Sequence, residues 1–243
     1  MPRMLTRARS AIRRHGFTGL IPLFVKNARH VWRTIQDGPQ STHSTFDEQF
    51  HLETERISEI GSLDIKSPNS KYAVRYQPSP PELVREILSR LAIGYGDFTF
   101  VDFGAGKGRV LLIASEFPFS RIAGIEFSPE LVKAAQENIK SFRSPRQQTT
   151  QIDVVHADVV NYEVPEVPLV CYFYNPFQWP IMEQVASRLG ASSKSCQRDI
   201  YVVYVQPEHR DVFDKSDAWM CYIDDPLFVV YRSQCNIRQA RCV

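Results

Sequence analysis

Residues 100–109 read Phe-Val-Asp-Phe-Gly-Ala-Gly-Lys-Gly-Arg: an apolar run interrupted by a carboxylate, then three glycines at alternate positions. Gly104, Gly106 and Gly108 permit a tight strand-to-helix turn without side chains, so a ligand can approach the backbone closely. A helix starting after Gly108 aims unpaired N–H groups at that ligand. The dinucleotide fingerprint is Gly-x-Gly-x-x-Gly. Here Arg109 stands where its third glycine belongs, which points away from a nicotinamide cofactor. Asp102, near the strand end, is placed to accept from an ammonium group and would repel a phosphate. Lys107 within the turn is the residue that keeps a phosphate ligand in play.

More strand-end polar groups follow. Glu126 closes the apolar run Ile122-Ala123-Gly124-Ile125, about 20 residues on, where a carboxylate with two acceptor oxygens suits a vicinal diol. Phe127 beside it offers a face to a flat base. Asp158, after His156-Ala157, reads either as the acceptor for an amino group or as a turn cap, and His156 as a structural strand-end residue. Tyr172-Phe173-Tyr174-Asn175-Pro176-Phe177 then places Asn175 at the carboxyl end of a fourth strand, where ligands of open parallel sheets sit. An amide there can orient a nucleophile while Pro176 and Phe177 form a rigid apolar wall. The bland reading is that Asn-Pro starts a turn.

These positions require alternating strands and helices. Apolar runs predict strands at 99–103, 122–126, 152–156, 169–174, 200–205, 219–223 and 227–231. Helical periodicity predicts helices at 108–116, 129–142, 179–189 and 208–213, with Ser128-Pro129-Glu130 capping the second. Ser79 and Glu82 fit a capping box for a helix running from Pro80 to about Leu91. Alternation of this kind implies a parallel sheet covered on both faces, and the last two strands leave room only for a hairpin. Residues 37–75 read as a polar connection with short helical pieces such as 46–60.

Composition bounds the rest. With 43% hydrophobic and 12% aromatic residues among 243, the chain can bury a full core, and a net charge of +2 excludes a strong global field. Cys171, Cys196, Cys221, Cys235 and Cys242 lack any Cys-x-x-Cys pair and read as free thiols of a reducing compartment; no metal site is expected. No apolar run reaches the roughly 20 residues of a membrane span. Residues 1–36 carry an apolar stripe (Ile21, Phe24, Val25, Ala28, Val31, Trp32, Ile35) opposite many arginines. That pattern reads either as a helix packed on the domain or as peripheral contact with an anionic partner or surface. The expected location is cytoplasmic, with a mitochondrial targeting segment as the alternative reading of the same arginines.

Together, Val101 to Arg109, Gly124-Ile125-Glu126 and Asn175-Pro176-Phe177 resemble the class I S-adenosylmethionine (SAM)-dependent methyltransferases, over roughly residues 72–232. Phe100 to Ala114 with Gly124-Ile125-Glu126 is also similar to the seven-strand lysine methyltransferases that modify histones. Tyr76-Gln77-Pro78-Ser79 resembles the loop by which such enzymes close over the methyl donor. The resemblance implies an α/β fold: a doubly wound, mostly parallel seven-stranded sheet in the order 3-2-1-4-5-7-6, helices on both faces. Residues 1–71 would form a basic helical extension and 72–243 the SAM-binding domain. It implies SAM held by Asp102, Gly104, Ala105, Gly106, Gly108, Glu126, Phe127 and Asp158, and methyl transfer to an amine, a protein lysine or similar nitrogen. Asn175, Tyr76 and Phe177 are the candidate catalytic residues, with Tyr174 as a further group to handle the amine proton.

Enzymes that methylate amino groups of nucleic acids carry Asn or Asp followed by Pro-Pro and an aromatic. Here one proline separates Asn175 from Phe177, which weakens an adenine-N6 assignment and leaves protein, small-molecule and nucleic-acid acceptors open. Two rivals stand beside this reading. An NAD-type oxidoreductase needs the absent Gly-x-Gly-x-x-Gly turn. A non-catalytic module would keep the fold and use residues 1–36 to hold nucleic acid or an anionic surface in a salt-sensitive way.

Overall fold

The first strand of the sheet, β1 (Thr99–Phe103), is buried at every residue, as a strand flanked on both sides must be. The computed structural model describes residues 45–56, 58, 67–74 and 76–234. The arginine-rich stretch 1–36, Cys235 and Cys242 lie outside them. Before β1 come α1 (Phe46–Phe50) and α2 (Pro81–Ser89). After it follow α3 (Arg109–Ala114), β2 (Arg121–Glu126), α4 (Pro129–Ser141), β3 (Ile152–His156) and β4 (Leu169–Tyr174). Then come α5 (Trp179–Cys196), β5 (Ile200–Val205), α6 (Asp211–Asp214), β6 (Trp219–Asp224) and β7 (Phe228–Ser233).

The seven strands order as β3-β2-β1-β4-β5-β7-β6. β3, β2, β1, β4 and β5 pair in parallel, and β7 inserts antiparallel between β5 and β6, closing the expected hairpin. Because side chains alternate across a strand, Phe100 and Tyr172 face one side and Val101, Cys171 and Phe173 the other. The first side buries Val84, Ile87 and Leu88 of α2 and Leu111 to Ala114 of α3. The second buries Ile181, Met182, Val185 and Leu189 of α5 with Phe213 of α6. Among the described residues no helix is long and apolar enough to cross a membrane.

Three local expectations need correction. The capping box at Ser79 does not form: Pro80 is the N-cap and makes no side-chain cap, Ser79 is buried and accepts from the Tyr172 hydroxyl (3.1 Å), and Glu82 pairs with Arg85. The tertiary partner outcompetes the local one. The helix from Phe46 ends at Phe50, where His51 takes a left-handed φ of 54°. The Asp47 carboxylate draws the chain back by accepting from Thr54 N–H, the Thr54 hydroxyl and Glu55 N–H. α5 runs past Leu189 to Cys196, through Gly190. That glycine is tolerated because a Cβ there would meet Ala218 at 3.0 Å, so close helix-to-hairpin packing needs its absence.

Candidate active site

At the carboxyl ends of β1, β2 and β4 the chain encloses a cavity. Its lining includes Asp102, Gly104, Ala105, Glu126, Phe127, Asp158, Pro176 and Phe177. The floor is the glycine turn, in which Gly104, Gly106 and Gly108 all take positive φ (91°, 54° and 83°). Two of them also need the missing side chain. A Cβ on Gly104 would sit 2.9 Å from Pro176, and one on Gly106 only 2.2 Å from the Tyr76 ring. Gly104 and Ala105 line the cavity, whereas Gly106 is covered by the Tyr76 ring and Gly108 packs on Ala135 of α4, both outside the lining.

Two carboxylates reach the cavity from adjacent strands in contrasting states. Glu126 is 4% exposed and accepts from the N–H groups of Gly106, Phe127 and Ser128, each at 2.9 Å. Burial raises its pKa, and these three N–H groups only partly offset that. Asp102 is 3% exposed, and among the described residues no donor bonds its carboxylate. Burial, then the nearby charge of Glu126, pushes its pKa well above the ordinary carboxylate range. A nearly buried acid without a donor holds its proton unless a cation completes it.

Asp158 is more occupied than the sequence suggests. It accepts from the Ser67 hydroxyl and from Asn69 Nδ2 (2.8 Å), and caps its own turn through Val160 N–H (3.1 Å). His156 contacts the Phe127 carbonyl through Nε2 at 3.1 Å, a structural role.

The roof comes from before the sheet. Residues 73, 74 and 76–79 cross above the glycine turn: Val74 N–H donates to the Pro176 carbonyl (3.0 Å), Ala73 bridges Phe177, and Tyr76 covers Gly106. The Tyr76 hydroxyl donates to the Thr54 carbonyl (2.7 Å), and burial raises its pKa far above the usual phenol value. It therefore acts as an anchored lid. Residues 45–56 lie outside this strap and are tied to the turn itself. Lys107 pairs with Glu53, and the buried Arg109 guanidinium holds the Thr54 hydroxyl (2.6 Å) and Asp47 (3.0 Å) while stacking over Phe46 (5.4 Å). Asn138 of α4 joins the Lys107 and Glu53 carbonyls (3.0 and 3.2 Å). The two cations in the turn thus fasten a lid. Residues this far apart in the chain gave no local signal.

On the β4 side, Phe177 lines the cavity but Asn175 does not. Asn175 takes a left-handed φ of 42°, and its Oδ1 accepts from the Tyr204 hydroxyl (3.2 Å). Tyr174, one residue earlier, faces the cavity instead.

The strand order decides the fold. It is the fold of the class I SAM-dependent methyltransferases. No protein-family model and no curated protein sequence matches the chain. Solved structures of class I methyltransferases do. One is an RNA methyltransferase from Salinibacter ruber in complex with S-adenosyl-L-homocysteine, at 21% identity over 64% of this chain and 92% of that one, TM-score 0.41. Another is mitomycin 7-O-methyltransferase MmcR, at 13% identity over 63% of this chain and 53% of that one, TM-score 0.48. A third is the 23S rRNA methyltransferase ErmE, at 13% identity over 63% and 67%, TM-score 0.43. These likenesses concern the fold alone.

Replacing Gly106 with Ala tests the close approach of lid and turn. It should cost about 1–3 kcal/mol of stability, as overpacking does. Adding Tyr76→Ala should recover part of that loss, and a thermal-denaturation double-mutant cycle reads the coupling. Strict additivity would mean that the ring and the turn do not meet.

Proposed function

We propose that this protein is a SAM-dependent methyltransferase acting on an amine nitrogen. Asp102 carries the proposal, because a buried, donor-free carboxylate at the glycine turn is what the ammonium of the methyl donor would complete. Glu126 Oε2 accepts a single N–H and keeps a lone pair for ribose hydroxyls. Phe127 would lie against the adenine, and Asp158 keeps acceptor capacity for its amino group beyond the bonds to Ser67 and Asn69.

When bound, SAM supplies a methyl group on a sulfonium. The acceptor nitrogen's lone pair forms the new bond, the carbon–sulfur electron pair stays with sulfur, and the surplus proton leaves to water. The residues of this chain align and dry the path. Pro176 and Phe177 wall it, and the strap with Tyr76 roofs it. Positioning of this kind is worth up to roughly 7–11 kcal/mol. In this reading residues 72–243 carry the reaction, and 45–56 of the preceding extension brace it. A protein lysine and the exocyclic amine of a heterocycle both satisfy the proposed chemistry.

Asp102→Asn separates binding from stability. The folded protein holds the Asp102 proton to higher pH than the unfolded chain, so without donor this acid subtracts stability as pH rises above about 3.8. The Asn variant should therefore melt higher than wild type near neutral pH, yet bind SAM at least about tenfold more weakly by calorimetry. In wild type, the thermal shift produced by SAM should grow as pH rises through the acid range, because the ammonium favours the ionised acid. Equal SAM affinity in variant and wild type would overturn the proposal.

A further inference from the structure

Deepening the methyltransferase reading, on which it rests, we infer that Tyr174 and Gln77 form an acceptor-reading edge. We further infer that the acceptor is an uncharged planar heterocycle carrying an exocyclic amine beside a ring nitrogen.

Strand parity starts the argument. In β4, Tyr172 and Tyr174 share a face, and the strap above alternates in step: Tyr172 meets Ser79 (3.1 Å) and Tyr174 meets Gln77 (3.4 Å). The inner rung is closed and buried. The outer rung stands at the mouth, where Gln206 adds a second carboxamide: its Nε2 donates to the Tyr174 oxygen at 3.1 Å. Gln206 follows β5 directly and takes a left-handed φ of 49°, as Asn175 does after β4 at 42°. Two non-glycine residues held in that conformation at neighbouring strand ends are a strain the surrounding structure must impose.

The hydrogen-bond inventory then selects the ligand. With two carboxamide N–H groups on its oxygen, the Tyr174 phenol has its own O–H left to donate. Burial raises its pKa, so it remains a donor and does not serve as a base. Gln77, with its nitrogen engaged, presents its carbonyl oxygen as an acceptor. A donor beside an acceptor matches an edge that offers ring nitrogen beside N–H, the pattern by which carboxamides read amino-bearing bases. An alkylammonium would meet the Gln77 carbonyl and aromatic faces there but no carboxylate left over from the methyl donor. The carboxylates Asp102, Glu126 and Asp158 belong to β1, β2 and the turn after β3, on the donor's side. A donated O–H would also occupy the lone pair that a free amine needs for attack. Pro176 and Phe177 add apolar lining to the same cavity, which suits the face of a ring.

The test uses the full chain with labelled SAM. The acceptor pools are random-sequence unmodified RNA, random-sequence DNA, a nucleoside mixture and a lysine-rich protein fraction, and SAM affinity is measured separately. Label in the amino group of a base supports the inference, and the pool that takes it tells polymer from free nucleoside. Tyr174→Phe should then lower kcat/KM for that acceptor at least about tenfold while SAM affinity stays within about twofold. Gln77→Glu should lower it as well, and Gln77→Asn should restore less than wild type but more than Glu. Label in lysine overturns the inference and leaves the methyltransferase reading standing. So does tight SAM binding with no labelled base, or full activity of Tyr174→Phe. Failure to bind SAM overturns both.

Discussion

Glu126→Ala should weaken SAM binding by about a hundredfold or more, measured by calorimetry. The expected size follows from the chemistry of the group. Hydrogen bonds to a charged partner contribute about 1.5–3 kcal/mol each, and roughly 1.4 kcal/mol is a factor of ten in affinity. Three N–H groups leave one acceptor site of the carboxylate for the diol, so that bond alone accounts for roughly ten- to a hundredfold. The side chain also organises the site before any ligand arrives, since the N–H groups of Gly106, Phe127 and Ser128 all donate to it. The Ala variant should therefore also melt lower. Glu126→Gln keeps one acceptor oxygen and the shape of the turn, so it should recover most of the stability but little of the affinity. SAM affinity unchanged in both variants would place the ribose elsewhere.

The second large effect belongs to a residue whose guanidinium is spent on bracing residues 45–56. Arg109→Ala should destabilise the protein by about 1.5–3 kcal/mol, because it removes the charged hydrogen bonds to the partly buried Asp47 and to the Thr54 hydroxyl. For a chain of this size that is a fall in Tm of several degrees. The dependence on pH follows from Asp47. Burial alone would raise its pKa, but the Thr54 hydroxyl, the N–H groups of Thr54 and Glu55 and the Arg109 charge bring it below the ordinary 3.8. Its folded value is depressed, so its contribution is present above that ordinary value and is lost as pH falls through the folded one. Arg109→Ala should remove only part of this acid sensitivity, because the Arg109 charge is the smallest of these causes and the Thr54 and Glu55 bonds remain. It should also raise the SAM dissociation rate, since Thr54 carries both the Arg109 bond and the Tyr76 anchor. Arg109→Lys, which keeps the charge but loses the planar fork, should lie between the two. A variant that melts with wild type would show that residues 45–56 do not brace the turn.

The two cases mark where sequence reasoning works on this chain. Glu126 could be read from its place because a strand, its end and the next helix cap are local matters. Buried runs force the strands, a carboxylate closing β2 comes to line the cavity at the strand ends, and Ser128 caps α4 through Leu131 N–H as its spacing says (3.3 Å). Arg109 could be read only as the residue that spoils a dinucleotide turn. Its partners Asp47 and Thr54 lie 62 and 55 positions away, and no periodicity or motif links them. The same holds for Asp158, whose bonds to Ser67 and Asn69 span 91 and 89 positions.

Asn175 and Tyr174 show the limit at its finest scale. A motif names a stretch, but a strand alternates its faces with a period of two, so a shift of one residue decides which side chain enters the cavity. The left-handed backbone at Asn175 turns its amide to Tyr204 and leaves Tyr174 at the mouth.

What the amino-acid sequence determined by itself is the order of strands and helices, the glycine turn and the carboxylates at strand ends. Each depends on residues within a turn or two of one another, where burial pattern and backbone freedom act directly. Tertiary structure alone decided the cover over the turn, the buried ion pairs that hold it, and which β4 side chain faces the cavity. Those outcomes depend on which distant groups satisfy one another's charge and hydrogen bonds once the chain has closed, and nothing local distinguishes the partner chosen from those passed over.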